Sequence, residues 1–225
     1  MNGSKDLKTI IYFKGVYDTL DLFTDHLIGA FEAMGYGTFV YRTANEEVSK
    51  KLLLRLLGES QEFAAVTFNN LGYNLSFEQP EAAEVEEGKP EEHNIWDYFH
   101  IPYIDILMDH PFHYEKPLCN MPETAVILCT DCNHVKYVRR FFKNIHQTDF
   151  LPHAGVELGH KHKPLKERNI DVLYAGALPV YTVAKMIPDL HSIPEVDGED
   201  MMQSVLGGLV QHPEQTTEQA IEAYV

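Results

Sequence analysis

Thr9-Ile10-Ile11-Tyr12-Phe13-Lys14-Gly15 sets five β-branched or aromatic residues in a row and stops them abruptly at a lysine and a glycine. A short apolar run bounded in this way predicts a buried strand closed by a tight turn. Downstream, Leu20, Phe23, Leu27, Ile28, Phe31 and Met34 recur at helical spacing, so residues 18–34 read as a helix, with Gly35 or Gly37 supplying a positive-φ stop. Thr38 to Tyr41 is a second strand. Asn45 is expected to cap a helix that runs to Leu57, with Glu47 in its first turn and Gly58 at its end. Phe63 to Phe68 is a third strand, closed by Asn69-Asn70. Strand, helix, strand, helix, strand is half of a doubly wound sheet. Right-handed crossovers then put helices on both faces. The fold class predicted is α/β, Rossmann-like, with a mostly parallel sheet.

The acidic stretch from Ser76 to His93 interrupts this rhythm. Glu78, Glu81, Glu84, Glu86, Glu87, Glu91 and Glu92 are opposed there by Lys89 alone, a composition that reads as a solvated loop. Ile95 to Phe99 gives one helical turn. Further strands are expected at Tyr103 to Met108, Ala125 to Cys129, around Asp149 to Leu151, and at Asp171 to Ala175. A helix fits His134 to Lys143, and Pro164 to Asn169 is a polar connector. Helical patterns return at Val180 to Met186, at Met201 to Val210 and from Pro213 onward. The chain therefore divides into a first domain over residues 1–165 and, over 166–225, the start of a second domain or a helical extension, read as truncated.

Among 225 residues, 34 acidic side chains outnumber 18 basic ones for a net charge of −16. Phosphate neutralisation needs clustered Lys and Arg, so a general nucleic-acid binder is not expected. Residues 1–8 are polar and lack the apolar core of a signal peptide. No apolar run is long enough to span a bilayer. Three cysteines make a disulfide framework unexpected and point to a reducing cytoplasm.

Open α/β sheets bind ligands beyond the carboxyl ends of their strands. Here those ends run into Lys14-Gly15, Asn69-Asn70, Asp109-His110-Pro111 with Tyr114, Thr130-Asp131 with His134, Pro152-His153, and Gly176. Six polar ends on one rim define a candidate site. Each residue has a plainer reading beside this one. Gly15 can serve only its turn, Asn69-Asn70 can be a turn pair, and Asp131 can merely N-cap the next helix, leaving His134 in its first turn. Asp109 and His110 stand out, because two titratable groups directly follow a buried strand and Pro111 restricts the backbone before it.

Cys129-x-x-Cys132-x-His134 has ligand-like spacing, with His110, His113 and His153 as further imidazoles. No second Cys-x-x-Cys completes a structural zinc site, and Cys129 ends an apolar strand, so no metal is assigned. The chain has no G-x-G-x-x-G after its first strand, no phosphate loop and no G-x-S-x-G elbow, so no cofactor is assigned either.

Four motifs in order carry a resemblance: Asp109-His110-Pro111, then Cys129-Thr130-Asp131-x-x-His134-x-x-Tyr137, then Phe150-Leu151-Pro152-His153-Ala154-Gly155, then Arg168-Asn169-Ile170-Asp171-Val172-Leu173-Tyr174-Ala175-Gly176. Together they resemble the amino-terminal region of the CgeB-like (spore-maturation protein) glycosyltransferases and related bacterial two-domain transferases. The match covers residues 100–176 in motif, and the first 70 in fold pattern only. The resemblance implies a GT-B arrangement, two Rossmann-like domains facing across a cleft, with a nucleotide-sugar donor and an acceptor hydroxyl as partners. It makes Asp109 or His110 the base. Lys14, Gly15, Asn69, Asn70, Tyr114, Asp131, His134 and His153 become the substrate-binding rim. Donor-gripping residues of the second domain are not found after Gly176, so the piece is expected to be inert alone. The alternative of another class is a non-catalytic Rossmann or flavodoxin-like module that binds a ligand or a protein through the same rim.

Overall fold

The computed structural model describes residues 8–59, 62–78, 92–155, 163–170, 172 and 197–224. Two compact units divide the chain, residues 1–160 and 161–225. In the first, six strands form one sheet: β1 (Lys8–Lys14), β2 (Gly37–Arg42), β3 (Glu62–Phe68), β6 (Tyr103–Leu107), β7 (Ala125–Cys129) and β8 (Gln147–Phe150). All pairings in it are parallel, and the spatial order is β2-β1-β3-β6-β7-β8. The predicted doubly wound α/β fold is therefore present. Its strand order is the flavodoxin-type variant, in which the winding reverses between β1 and β3.

The run that opens the chain's reading explains this centre. Residues 9–13 are all buried, as a parallel strand covered on both faces requires. Ile11 and Phe13 face one core with Leu53 and Leu57 of α2 (Glu46–Leu57), Trp96 of α3 (Ile95–Tyr98), Leu118 of α4 (Glu115–Cys119) and Val135 and Val138 of α5 (Cys132–Phe141). Ile10 and Tyr12 face the opposite core, where α1 (Asp18–Ala33) lays down Leu20, Phe23, Leu27, Ile28 and Phe31. Alternation along one strand thus sorts the helices onto two faces.

Several local expectations are refined. Gly35, at φ +90°, is the stop after α1. Asn45 ends a 3₁₀ turn (Thr43–Asn45) and its side chain makes no capping bond. Instead Ser49, inside α2, clamps the chain entering the turn: its Oγ accepts from Arg42 N–H at 3.0 Å and donates to Arg42 O at 3.1 Å. The acidic segment is not loop throughout. Its ends pair as a short antiparallel ribbon, β4 (Ser76–Glu78) with β5 (Glu92–Asn94), because Phe77 packs against Tyr98 and Phe99. Periodicity gave no sign of the 3₁₀ turn Pro111–Tyr114 or of α4, whose five residues are too few to show one. The strand expected at 171–175 and the helix at 180–186 lie outside the described residues, Val172 apart.

Gly72 sits at φ +79° under the Phe13 ring, and a Cβ there would collide with that ring. Gly72→Ala is expected to destabilise the first unit by roughly 2 kcal/mol through overpacking, read as a lower urea midpoint with unchanged slope.

The second unit contains α6 (Gly198–Gln211) and α7 (Thr217–Tyr224), matching the helical patterns read there. Asp197 caps α6, accepting from Glu199 N–H and Asp200 N–H, both at 3.1 Å. Tyr224 Oη donates to Asp200 Oδ2 at 3.0 Å, tying the two helices. Among the described residues no helix is long and apolar enough to cross a membrane.

Candidate functional site

The rim beyond β3 and β6 is built on two successive left-handed residues, Asn69 at φ 49° and Asn70 at φ 65°. Asparagine tolerates this region better than most side chains, and the pair persists because β6 stitches it down. Asn69 N–H donates to Ile106 O at 3.1 Å, Met108 N–H donates to Asn69 Oδ1 at 2.9 Å, and Asn70 N–H donates to Asp105 Oδ1 at 2.9 Å. So fixed, Asn69 Nδ2 donates to Asp109 Oδ2 at 3.0 Å.

A second donor reaches the same oxygen, Tyr114 Oη at 2.8 Å. It is delivered by the 3₁₀ turn, where Pro111 takes a first-turn position and His110 Nδ1 caps the turn by accepting from Phe112 N–H at 3.1 Å. Burial, together with its bond to Asp109, pushes the Tyr114 hydroxyl well above its ordinary value, so it stays a donor. Asp109 is exposed, with Oδ2 held twice and Oδ1 unbonded among the described residues. A carboxylate fixed in this way can accept a proton from an incoming hydroxyl.

His110 turns to other company. Its ring stands edge-on to His134 at 4.6 Å and to Tyr137 at 4.9 Å, beside α5. With Nδ1 accepting a backbone N–H, the neutral ring carries its proton on Nε2. His134 Nδ1 is buried without a hydrogen-bond partner among the described residues. Asp131 accepts from Asn133 N–H at 2.6 Å and is the N-cap of α5, the plainer of its two readings.

The remaining rim residues have partners or surroundings of their own. Lys14 Nζ grips both oxygens of Asp25, at 2.6 and 2.7 Å. Gly15, at φ +102°, donates to Asp21 Oδ1 at 3.0 Å, and a Cβ there would press on Thr43 Oγ1, so its lack of a side chain serves the turn. His153 lines an apolar cavity of about 420 Å³ with Phe23, His26 and Leu27 of α1, Phe68 of β3 and Met108 just beyond β6. That cavity belongs to the α1 face. The structure thus unites Asn69, Asp109 and Tyr114, with Asn70 beneath them. It pairs His110 with His134 next to α5, ties Lys14 and Gly15 to α1 through Asp25 and Asp21, gives Asp131 to the N-terminus of α5, and sets His153 in the cavity on the α1 face. Gly176 lies outside the described residues.

Cys129 is fully buried, and burial pushes its thiol up to about 11, while Cys132 is exposed on α5. The Cys-x-x-Cys spacing is therefore divided between core and surface. Among the described residues no three His, Cys, Asp or Glu side chains gather as ligands.

Compared with protein-family models, curated proteins and solved structures, the chain matches none. Its functional reading therefore rests on the rim.

One member of that rim escapes the strand-end pattern. Asp105 is the middle residue of β6, fully buried, and burial pushes its carboxyl up from 3.8 to about 7 despite the opposing Asn70 bond. A charge centred in Tyr103-Ile104-Asp105-Ile106-Leu107 is the signal that could have found it, since buried acids are rare without a specific partner.

Proposed function

We propose that this chain is the acceptor-side half of a GT-B glycosyltransferase, passing a sugar from a nucleotide donor to an acceptor hydroxyl. The observation that supports the reading best is the exposed Asp109 carboxylate, clamped through Oδ2 by Asn69 and Tyr114. In an inverting transfer Asp109 takes the acceptor's proton while the acceptor oxygen bonds to the anomeric carbon and the sugar–diphosphate bond breaks. His110, its Nδ1 engaged by Phe112, suits a donor's role better than a base's. Nucleoside diphosphate release from a panel of nucleotide sugars with mixed acceptors, measured on a chain that also carries the donor-binding domain, tests this. Asp109→Asn is expected to lower turnover on the order of a hundredfold while leaving nucleotide-sugar affinity unchanged. Unchanged turnover would remove Asp109 as the base.

The strand order favours a second reading, a non-catalytic ligand-binding module. The crevice between β1 and β3, flanked by Gly15 and by Asn69-Asn70, is where flavodoxin-type sheets hold their ligand. Tight binding of a flavin mononucleotide, without turnover of any nucleotide sugar, would decide for it.

A further inference from the structure

We propose that Asp105, sealed beneath the rim, is a positioning residue that sets the Asp109 carboxylate through Asn70 and Asn69. This rests on the reading of Asp109 as the reacting group. The connection is continuous. Asp105 Oδ1 accepts from Asn70 N–H, Asn70 continues the left-handed pair with Asn69, and Asn69 donates to Asp109 Oδ2 while accepting from Met108 N–H. Two adjacent non-glycine residues in this conformation need an external hold, and Asp105 supplies the buried ionisable acceptor in that hold. An apolar residue at this place would leave Asn70 N–H buried and unpaired.

The hold responds to protonation because little else steadies the acid. Its bond to Asn70 is the only one it makes among the described residues, and its Oδ2 is buried with no partner. The Asn70 side chain, 6% exposed, likewise has no partner for either amide atom. The ionisable groups around Asp105 are Tyr103 on its own strand, Cys129 on β7 and Tyr114 in the 3₁₀ turn. Burial raises all three, so they stay neutral near pH 7. From β3 comes Thr67, its register partner, and from the turn that follows it Asn70. An ionised carboxylate binds an N–H more strongly than a protonated one. Proton uptake by Asp105 therefore slackens Asn70, then Asn69, then Asp109.

The test is a series of ¹H–¹⁵N spectra of the 225-residue chain from about pH 5 to 9, for the wild type, Asp105→Asn and Asp109→Asn. The Asn70 backbone amide and the Asn69 side-chain amide are expected to shift together with one midpoint near 7 in the wild type. That midpoint vanishes from both in Asp105→Asn, while Asn70 retains it in Asp109→Asn. An Asn69 side-chain amide that stays still while Asn70 titrates, or that keeps its midpoint in Asp105→Asn, overturns the proposal. The wild-type titration alone suffices for the first of these outcomes if Asp105→Asn fails to fold. Loss of the catalytic reading through an active Asp109→Asn enzyme would leave these spectra unchanged, so the two failures are distinguishable.

Discussion

Trp96→Ala is expected to destabilise the first unit by about 3–5 kcal/mol, the largest loss for any single truncation in its core. Trp96 is fully buried, lies edge-on to Phe13 at 6.0 Å and tilts against Tyr103 at 5.4 Å. Its Nε1 donates to Gly72 O at 2.7 Å, a carbonyl that also accepts from Leu75 N–H at 3.2 Å, so truncation opens a cavity and removes one of that carbonyl's two hydrogen bonds. In a unit of this size the loss should lower Tm by roughly 10 °C, and far-UV circular dichroism is the fitting probe because Trp96 is the only tryptophan. Trp96→Phe, which keeps most of the ring and drops the hydrogen bond, should recover more than half of the loss. A change in Tm of only a degree or two for Trp96→Ala would mean that this packing is not what holds the ribbon and α3 on the sheet.

Asp105→Asn is expected to stabilise the protein in mildly alkaline solution and to remove a pH dependence that the wild type has. The folded carboxyl titrates at about 7 against an ordinary 3.8, so between those values the native state binds the proton that the unfolded state has released. The stability associated with this group is fully present below about pH 4 and is lost as pH rises through about 7. The gap corresponds to at most about 4 kcal/mol. Urea unfolding at several pH values checks this. The difference between variant and wild type should grow from pH 4 to 7 and level off beyond, its size reduced by any new unpaired N–H of the amide. A constant difference across that range would mean that Asp105 does not titrate there.

The two experiments probe different kinds of legibility. The apolar runs at Thr9–Phe13, Phe63–Phe68 and Ala125–Cys129 could be placed from their residues because a buried parallel strand must be nearly continuous in apolar side chains. The ribbon over Ser76–Glu78 and Glu92–Asn94 could not, since its pairing depends on Phe77 finding Tyr98 and Phe99 across the acidic segment. In the site, Asp109 was visible as a polar residue directly after a strand. Asp105 was not, because a rule that searches strand ends passes over a strand's interior.

From the order of residues alone came the parallel α/β class, the two helical faces and the rim as the place where polar groups collect. These follow from periodicity and from the local stereochemistry of turns, which act over a few residues. Tertiary structure alone decided that Asn69, Asp109 and Tyr114 share one oxygen, that Lys14 belongs to Asp25, and that His153 lies on the α1 face. Side chains at successive strand tips can point to either side of a sheet. Only the register of β3 on β6, and the path of the turn after β6, choose which of them meet.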